Sequence, residues 1–154
     1  YQNRYELQDI ASRLTAGLVP GSPISRRDAE GGIAVVLDRM GDGHFLVRAE
    51  VNGALIPMMV DTGATSTVLT SGDARRAGFD PSALSYWLPV MTANGQALTA
   101  RVTVDELSVG DIRRQGITVL VAEDGRLGQS LLGMNFLSSL AGFEVRGDRL
   151  TLYD

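Results

Sequence analysis

The spacing of apolar residues divides the chain near residue 33. Before that point apolar residues follow the 3.6-residue period of one helix face, and this stripe is formed by Leu7, Ile10, Ala11 and Leu14. The pattern predicts a short amphipathic helix over residues 1–17, which Gly17 and Pro20 would end. Residues 18–32 are rich in Pro, Gly, Ser and Arg, a composition typical of a flexible arm. We therefore expect an N-terminal helix and flexible arm over residues 1–32, followed by a folded domain over residues 33–154.

Beyond residue 33 the period of the pattern changes to two, which predicts β-strands. The segment 45–51 has one apolar face, formed by Phe45, Val47, Ala49 and Val51. Asn52-Gly53 follows, and this dipeptide suits the positive φ angles of a two-residue hairpin turn. The return strand is predicted over Ala54–Val60, so that it ends immediately before Asp61.

Two further hairpins are predicted from glycine-containing turns. Asn94-Gly95 separates the strand segments 88–93 and 96–104, and Gly147-Asp148 separates the segments 142–145 and 150–153. The apolar run Ile117–Ala122 predicts a strand buried on both faces, while short helices are predicted near residues 71–77 and 135–140. Many short strands joined by glycine-rich turns predict an all-β domain built as a small barrel.

Composition narrows the chemistry that this domain can perform. The chain has no cysteine, no lysine and one histidine, which excludes thiol nucleophiles, lysine Schiff bases and cysteine-ligated zinc. Its 18 acidic and 14 basic residues give a formal charge of −4, so we expect no nucleic-acid partner. We also expect no metal and no cofactor. Carboxylates remain as the leading catalytic groups.

The segment Met58–Leu69 is the most informative part of the chain. A buried apolar strand delivers Asp61 into a turn of small residues, Thr62, Gly63 and Ala64. A lone Asp-Gly turn would be a structural feature only, because both residue types are common in turns. About 70 residues downstream, however, the chain carries a second apolar segment that ends in glycine, Leu131-Leu132-Gly133. With a hairpin between them, the two segments form a specific pattern, which neither segment forms alone.

Together these segments resemble the retroviral-type, or retropepsin-like, aspartic proteases, and more closely their bacterial single-domain members. The resemblance covers residues 31–154 and includes Asp42-Gly43-His44-Phe45, Val51-Asn52-Gly53, Val60–Thr65, Thr92-Ala93-Asn94-Gly95 and Leu132–Leu137. It implies a retropepsin-like closed barrel of short strands with a flap hairpin and one or two short helices. It also implies an aspartic endopeptidase acting on protein substrates.

The resemblance assigns roles residue by residue. Asp61 matches the catalytic aspartate, and Thr62 matches the residue that locks two active-site loops together across a dimer. Gly63 matches the position whose backbone meets the substrate, and Ala64 is the small residue beneath it. The expected flap, which would close over substrate, consists of Thr92, Ala93, Asn94 and Gly95. Leu132 and Gly133, together with Leu131, match the element packed behind the catalytic loop.

The chemistry of this class requires two carboxylates, and the motif occurs once in the chain. Two aspartates about 3 Å apart share one proton, so that one activates a water while the other polarises the scissile carbonyl. A homodimer would supply the second Asp61 across a two-fold axis. The resemblance further implies that strands from the chain ends hold such a dimer, with a contribution expected from Leu150–Tyr153.

Several interpretations stay open on the sequence alone. One alternative is a catalytically inactive, protease-like module for dimerisation or peptide binding, and another is a β-barrel with a coincidental turn. Tyr86 and Trp87 suit either the core or a substrate groove, and His44 suits a structural role. The bacterial members are commonly tethered, so we expect a periplasmic location at the inner membrane. The anchor would lie before Tyr1, and the fragment itself is expected to be soluble.

Overall fold

The computed structural model describes residues 21–27, 29–92 and 95–154; the helix predicted over residues 1–17 lies outside them. Across the described part, the fold consists of strands with two short helices, α1 (Ser71–Arg76) and α2 (Met134–Leu137), and a 3-10 turn at Pro81–Ala83. The strands are β1 (Ile24–Arg27), β2 (Ile33–Asp38), β3 (Leu46–Val51), β4 (Ala54–Val60), β5 (Val68–Leu69), β6 (Leu88–Thr92), β7 (Gly95–Val109), β8 (Ile112–Ala122), β9 (Ser130–Leu132), β10 (Gly142–Arg146) and β11 (Arg149–Tyr153). The expected all-β class is confirmed.

The larger sheet curls into a ring of strands. Its order is β3-β4-β9-β5-β8-β7-β6, and β3 also pairs with β7, so that the strands from β3 round to β7 meet again. The core combines side chains from this sheet with others from β2 and α2, and its largest fully buried side chains include Phe136, Leu37, Ile56, Met58 and Leu69. Among the described strands β6 pairs with β7 alone, and it therefore projects beyond the ring.

The β3–β4 hairpin has the turn that its sequence predicts. Asn52 and Gly53 both adopt positive φ, +51° and +83°. The Asn52 side chain also ties the turn to its surroundings: its oxygen accepts from the N–H groups of Asp105 (2.9 Å) and Glu106 (3.2 Å), and its amide donates to the Ala77 carbonyl (3.2 Å). This hairpin therefore anchors β4, the strand that ends at Val60, immediately before Asp61.

The smaller sheet has the order β1-β2-β11-β10. Its β10–β11 hairpin turns at Gly147-Asp148, as predicted. Residues 24–27, which lie within the expected arm, form β1 and pair with β2, while the domain boundary itself stays a prediction. The Arg114 guanidinium donates to both carboxylate oxygens of Asp154 (2.6 and 3.1 Å), which fastens the end of the chain to β8.

Two sequence predictions required extension. The buried run Ile117–Ala122 is only the second half of β8, which begins at Ile112. The strand predicted over residues 96–104 is β7, which extends to Val109. These long strands are each other's most extensive partners, registered from Thr99↔Ala122 to Val109↔Ile112. In the part of the chain that the structure describes, no helix is long and apolar enough to span a membrane.

Candidate active site

Three short strand segments converge where β4 ends. Strand β9 runs parallel to β4, with Val60 paired to Leu132, and Leu131 is paired antiparallel to Val68 of β5. At the next step along the chain, the Asp61 N–H donates to the Leu132 carbonyl (3.0 Å). The fold therefore brings together the two segments that carry the sequence motif, Met58–Leu69 and Leu131-Leu132-Gly133.

Two backbone N–H groups of the loop over residues 61–64 donate hydrogen bonds to Asp61. The Gly63 N–H donates to Asp61 Oδ1 (2.9 Å), and the Ala64 N–H donates to the Asp61 carbonyl (3.2 Å). A Cβ on Gly63 would lie 3.2 Å from Asp61 Oδ1, which is tighter than most real Cβ contacts. Asp61 is half-buried, whereas Thr62 is exposed, and its hydroxyl makes no hydrogen bond within the described part of the chain.

Gly133 packs directly against the back of this loop. A Cβ at position 133 would lie 2.4 Å from the Ser66 carbonyl oxygen and 2.9 Å from that of Ala64. The following residues donate into the same loop, the Met134 N–H to the Ala64 carbonyl (2.8 Å) and the Asn135 N–H to that of Thr65 (3.0 Å). The backbone of the Asp61 loop is thus clamped by the start of α2.

A cleft of about 420 Å³ opens beside the loop and beneath β6. The described residues that line it include no charged side chain; they are Gly63, Ala64, Thr65, Ser66, Val68, Leu88, Pro89, Val90, Met91, Thr92, Leu120, Ala122, Leu127 and Leu131. At the tip of the β6–β7 hairpin, Ala93 and Asn94 lie outside the described residues. Beside them, the Thr92 hydroxyl donates to the Gly95 carbonyl (2.7 Å), and Gly95 has a φ of +105°.

Comparison with known proteins agrees with this geometry. Residues 47–136 match the aspartyl protease family. The crystal structure of a retropepsin-like aspartic protease from Rickettsia conorii is 34% identical in sequence and superposes with a TM-score of 0.71, covering 85% of this chain and 94% of that one. The chain belongs to the retropepsin-like aspartic proteases.

Two further proteins are similar to this retropepsin-like chain. The EIAV protease, in complex with the inhibitor HBY-793, shares the fold with a TM-score of 0.54 at 20% identity over 66% of this chain and 91% of that one. An uncharacterised protein from the cobV 5′ region of Sinorhizobium sp is 47% identical over all 154 residues. The chain spans 66% of the length of that relative.

Two polar residues that sequence reasoning missed support the retropepsin-like loop. Thr67 is fully buried; its hydroxyl donates to Asn135 Oδ1 (2.8 Å) and accepts from the Gly133 N–H (3.1 Å). The Asn135 amide donates in turn to the Thr118 carbonyl (2.9 Å), which links the loop to β8. The only sequence signal was one amide within the otherwise apolar segment 131–137.

The remaining residues singled out from the sequence, Tyr86, Trp87 and His44, lie in different environments. The Tyr86 hydroxyl donates to the Pro81 carbonyl (2.8 Å), and burial, followed by the nearby Glu123 charge, raises the pKa of Tyr86 above its usual value. Trp87 is 61% exposed and lies against the Arg101 guanidinium. His44 is exposed in a turn, where its backbone N–H donates to Asp42 Oδ1 (3.0 Å). Tyr86 therefore packs on the core, while Trp87 and His44 lie at the surface.

The clamp behind the Asp61 loop predicts a severe effect for Gly133→Ala. Because the added methyl would meet the Ser66 and Ala64 carbonyls, the loop must shift, and we expect unfolding stability to fall by about 1–3 kcal/mol. Gly72→Ala is the matched control, since a Cβ there meets nothing within 4 Å and the residue lies in α1. Urea unfolding of both variants measures the difference, and equal stabilities would contradict the clamp.

Proposed function

We propose that this retropepsin-like chain is an aspartic endopeptidase that hydrolyses peptide bonds in protein substrates. The observation that carries the proposal is the half-buried Asp61 carboxylate, fixed by the Gly63 N–H beside the uncharged 420 Å³ cleft. An extended peptide fits such a cleft, and the absence of charge from its lining favours apolar substrate side chains there. In this proposal Asp61 is the catalytic residue, and neither metal nor cofactor takes part.

The reaction needs a second carboxylate, which we assign to Asp61 of a second copy. The chain has twelve aspartates, and only Asp61 lies in an Asp-Thr-Gly turn. In a symmetric dimer each loop would face its own copy, and the exposed Thr62 hydroxyl would be available to bond across the axis. We therefore propose a homodimer, because the reaction needs two carboxylates and each chain has one Asp-Thr-Gly motif.

The proposed steps follow from two carboxylates that share one proton. The ionised carboxylate takes a proton from a bound water as its oxygen attacks the scissile carbonyl carbon. The protonated carboxyl gives its proton to the carbonyl oxygen, which forms a neutral tetrahedral diol. On collapse the carboxyl that took the water proton gives it to the nitrogen, the C–N bond breaks, and a diol hydroxyl returns its proton to the other, ionised carboxylate. The products are a carboxylic acid and an amine, and the dyad again holds one proton.

Location and tethering are also proposals. We propose that the protease domain acts at the periplasmic side of the inner membrane, tethered by a segment N-terminal to this sequence. The support is the resemblance to bacterial single-domain members of the family. A tether would confine two copies to one surface and raise their effective concentration. A dimer of low affinity would then form more readily.

The catalytic assignment is tested by Asp61→Asn. An amide cannot act as the general base, so we expect peptide-bond hydrolysis to fall by at least about 100-fold with no loss of fold. The assay is cleavage of a denatured protein panel followed by mass spectrometry of the products. Asp111→Asn, an exposed aspartate in the β7–β8 turn, is the matched control and should cleave like wild type.

The same assay separates the enzyme from an inactive binding module. Cleavage that persists in folded Asp61→Asn protein would overturn the assignment of Asp61. Peptide binding without any hydrolysis by the wild type at concentrations where it is dimeric would favour the inactive protease-like module instead.

The proposed flap predicts a split between activity and stability at Gly95. A valine there would have to adopt a φ near +105°, which strains the hairpin tip that excludes water from the site. We expect Gly95→Val to lower kcat/KM about tenfold or more with a fall in Tm of only a few degrees. Gly78→Val is the matched control, because Gly78 has a φ of +97° in the turn after α1 and, as at Gly95, a Cβ there meets nothing within 4 Å; it should lose similar stability but keep its activity.

The outcome that would contradict the flap is specific. If Gly95→Val unfolds outright, or if Gly78→Val loses as much activity as Gly95→Val does, the β6–β7 tip has no special relation to catalysis.

A further inference from the structure

A second cleft, of about 460 Å³, is formed by the turn between β2 and β3 together with part of β4. It shares no described lining residue with the cleft beside the Asp61 loop. Its described lining residues are Met40, Gly41, Asp42, His44, Leu46, Met59 and Gln129. They include the one histidine of the chain and two of its five methionines. The cleft therefore brings imidazole and thioether donors to one place.

The turn over residues 40–44 places Met40 and His44 opposite each other. The Met40 N–H donates to the His44 carbonyl (2.8 Å), and the Gly43 N–H donates to the Met40 carbonyl (3.0 Å). Gly43 has a φ of +86°, which this tight turn requires, and Arg39 pairs with Phe45 on its outer side. Directly opposed residues of an antiparallel pair have their Cβ atoms about 5 Å apart. Met40 and His44 therefore project together from one face of the turn.

Strand alternation brings Met59 to the same face. Leu46 of β3 pairs with Met59 of β4, and the Val60 N–H donates to the Phe45 carbonyl (2.9 Å), which continues the pairing beyond the end of β3. His44 and Leu46 are two residues apart, so their side chains share a face. Met59 is then the diagonal neighbour of His44 across the pair, about 7–8 Å away, a span that long side chains cover.

The donor set of this cleft suits a soft cation. Thioether sulfur and imidazole nitrogen are ligands for Cu(I), whereas Ca²⁺ and Mg²⁺ take oxygen ligands. Among the described residues no three His, Asp or Glu side chains come together to hold a metal ion. The expectation of no metal follows from the same shortage of histidine and cysteine, and it leaves thioether donors out of account.

The surroundings of His44 leave its ring open to a ligand role. In the part of the chain that the structure describes, His44 hydrogen-bonds through its backbone N–H, which donates to Asp42 Oδ1 (3.0 Å), and the imidazole has no partner. The Arg39 guanidinium lies over the Phe45 ring, 4.9 Å from its centroid, and no arginine is among the described residues that line the cleft. The Asp42 carboxylate adds a negative charge at the rim, which favours a cation.

We propose that Met40, His44 and Met59 form a binding site for a cuprous ion, Cu(I), with two thioether sulfurs and one imidazole nitrogen as its ligands. The bound ion would join the β2–β3 turn to β4, just before the Asp61 loop. The inference goes beyond the proposed hydrolysis, in which the ion takes no part. It is carried by three soft donors on one face of one cleft.

Competition with the chromophoric chelator bicinchoninate under nitrogen tests the site, with Cu(I) as the titrant. We expect one tightly bound Cu(I) per chain. Met40→Leu, Met59→Leu and His44→Gln should each raise the Kd for Cu(I) at least about tenfold, because each removes one of three donors. Leucine has nearly the volume of methionine, so the fold should survive both methionine changes.

The matched control is Met91→Leu, since Met91 is 79% exposed on β6 and lies outside this cleft. Its Kd for Cu(I) should stay within about twofold of wild type. If Met91→Leu weakens binding as much as the cleft variants do, or if the cleft variants bind like wild type, the chain binds adventitious copper only and the site is refuted.

X-ray absorption at the copper edge tests the ligands themselves. The chain has no cysteine, so sulfur bound to copper must come from methionine. We expect two sulfur neighbours and one nitrogen neighbour per copper, with the nitrogen lost in His44→Gln. A shell of nitrogen and oxygen alone would overturn the assignment.

The site and the proposed protease activity can fail separately. Asp61 is not a lining residue of this cleft, so Asp61→Asn should bind Cu(I) like wild type while it loses hydrolysis. Copper binding by a chain that hydrolyses no peptide would refute the proposed function and leave the metal site standing. Hydrolysis by a chain that binds no copper would do the reverse.

Discussion

The contact on which the site depends is the approach of Gly133 to the backbone of the Asp61 loop. At this point the start of α2 lies so close to Ser66 and Ala64 that no side chain fits between them. The approach allows the N–H groups of Met134 and Asn135 to bond the loop carbonyls. A loop of small residues, which would otherwise have many conformations, is thereby held in one, and Asp61 is presented at a defined position beside the cleft.

In the proposed two-chain site a single chain is incomplete. Each copy would contribute one carboxylate, an exposed Thr62 and one cleft. Half a site has no means of sharing a proton between two carboxylates, so catalysis in our account is coupled to association. A weak interface then becomes a control point, because any tether or crowding that raises the local concentration also raises the fraction of complete sites.

The features that could be predicted from the sequence are those with a signal in a few neighbouring residues. Asn52-Gly53 indicated a hairpin because few residues accept two positive φ angles, and the Asp61 turn was identifiable because small residues there permit a close approach. Non-local features were harder. Nothing in the period of residues 150–153 shows that β11 has partners on both sides, and the bond from Thr67 to Asn135 joins residues 68 positions apart. The pairing of β1 was likewise hidden in a segment whose composition suggests a flexible arm.

The central claim is that two chains make one catalytic site. It is tested most directly by the binding stoichiometry of a peptide-like inhibitor whose central hydroxyl replaces the attacking water. Isothermal titration, carried out at protein concentrations where sedimentation shows a dimer, gives the number of inhibitor molecules bound per chain. Our account predicts one inhibitor for every two chains, with binding lost in Asp61→Asn. Saturation at one inhibitor per chain would contradict it.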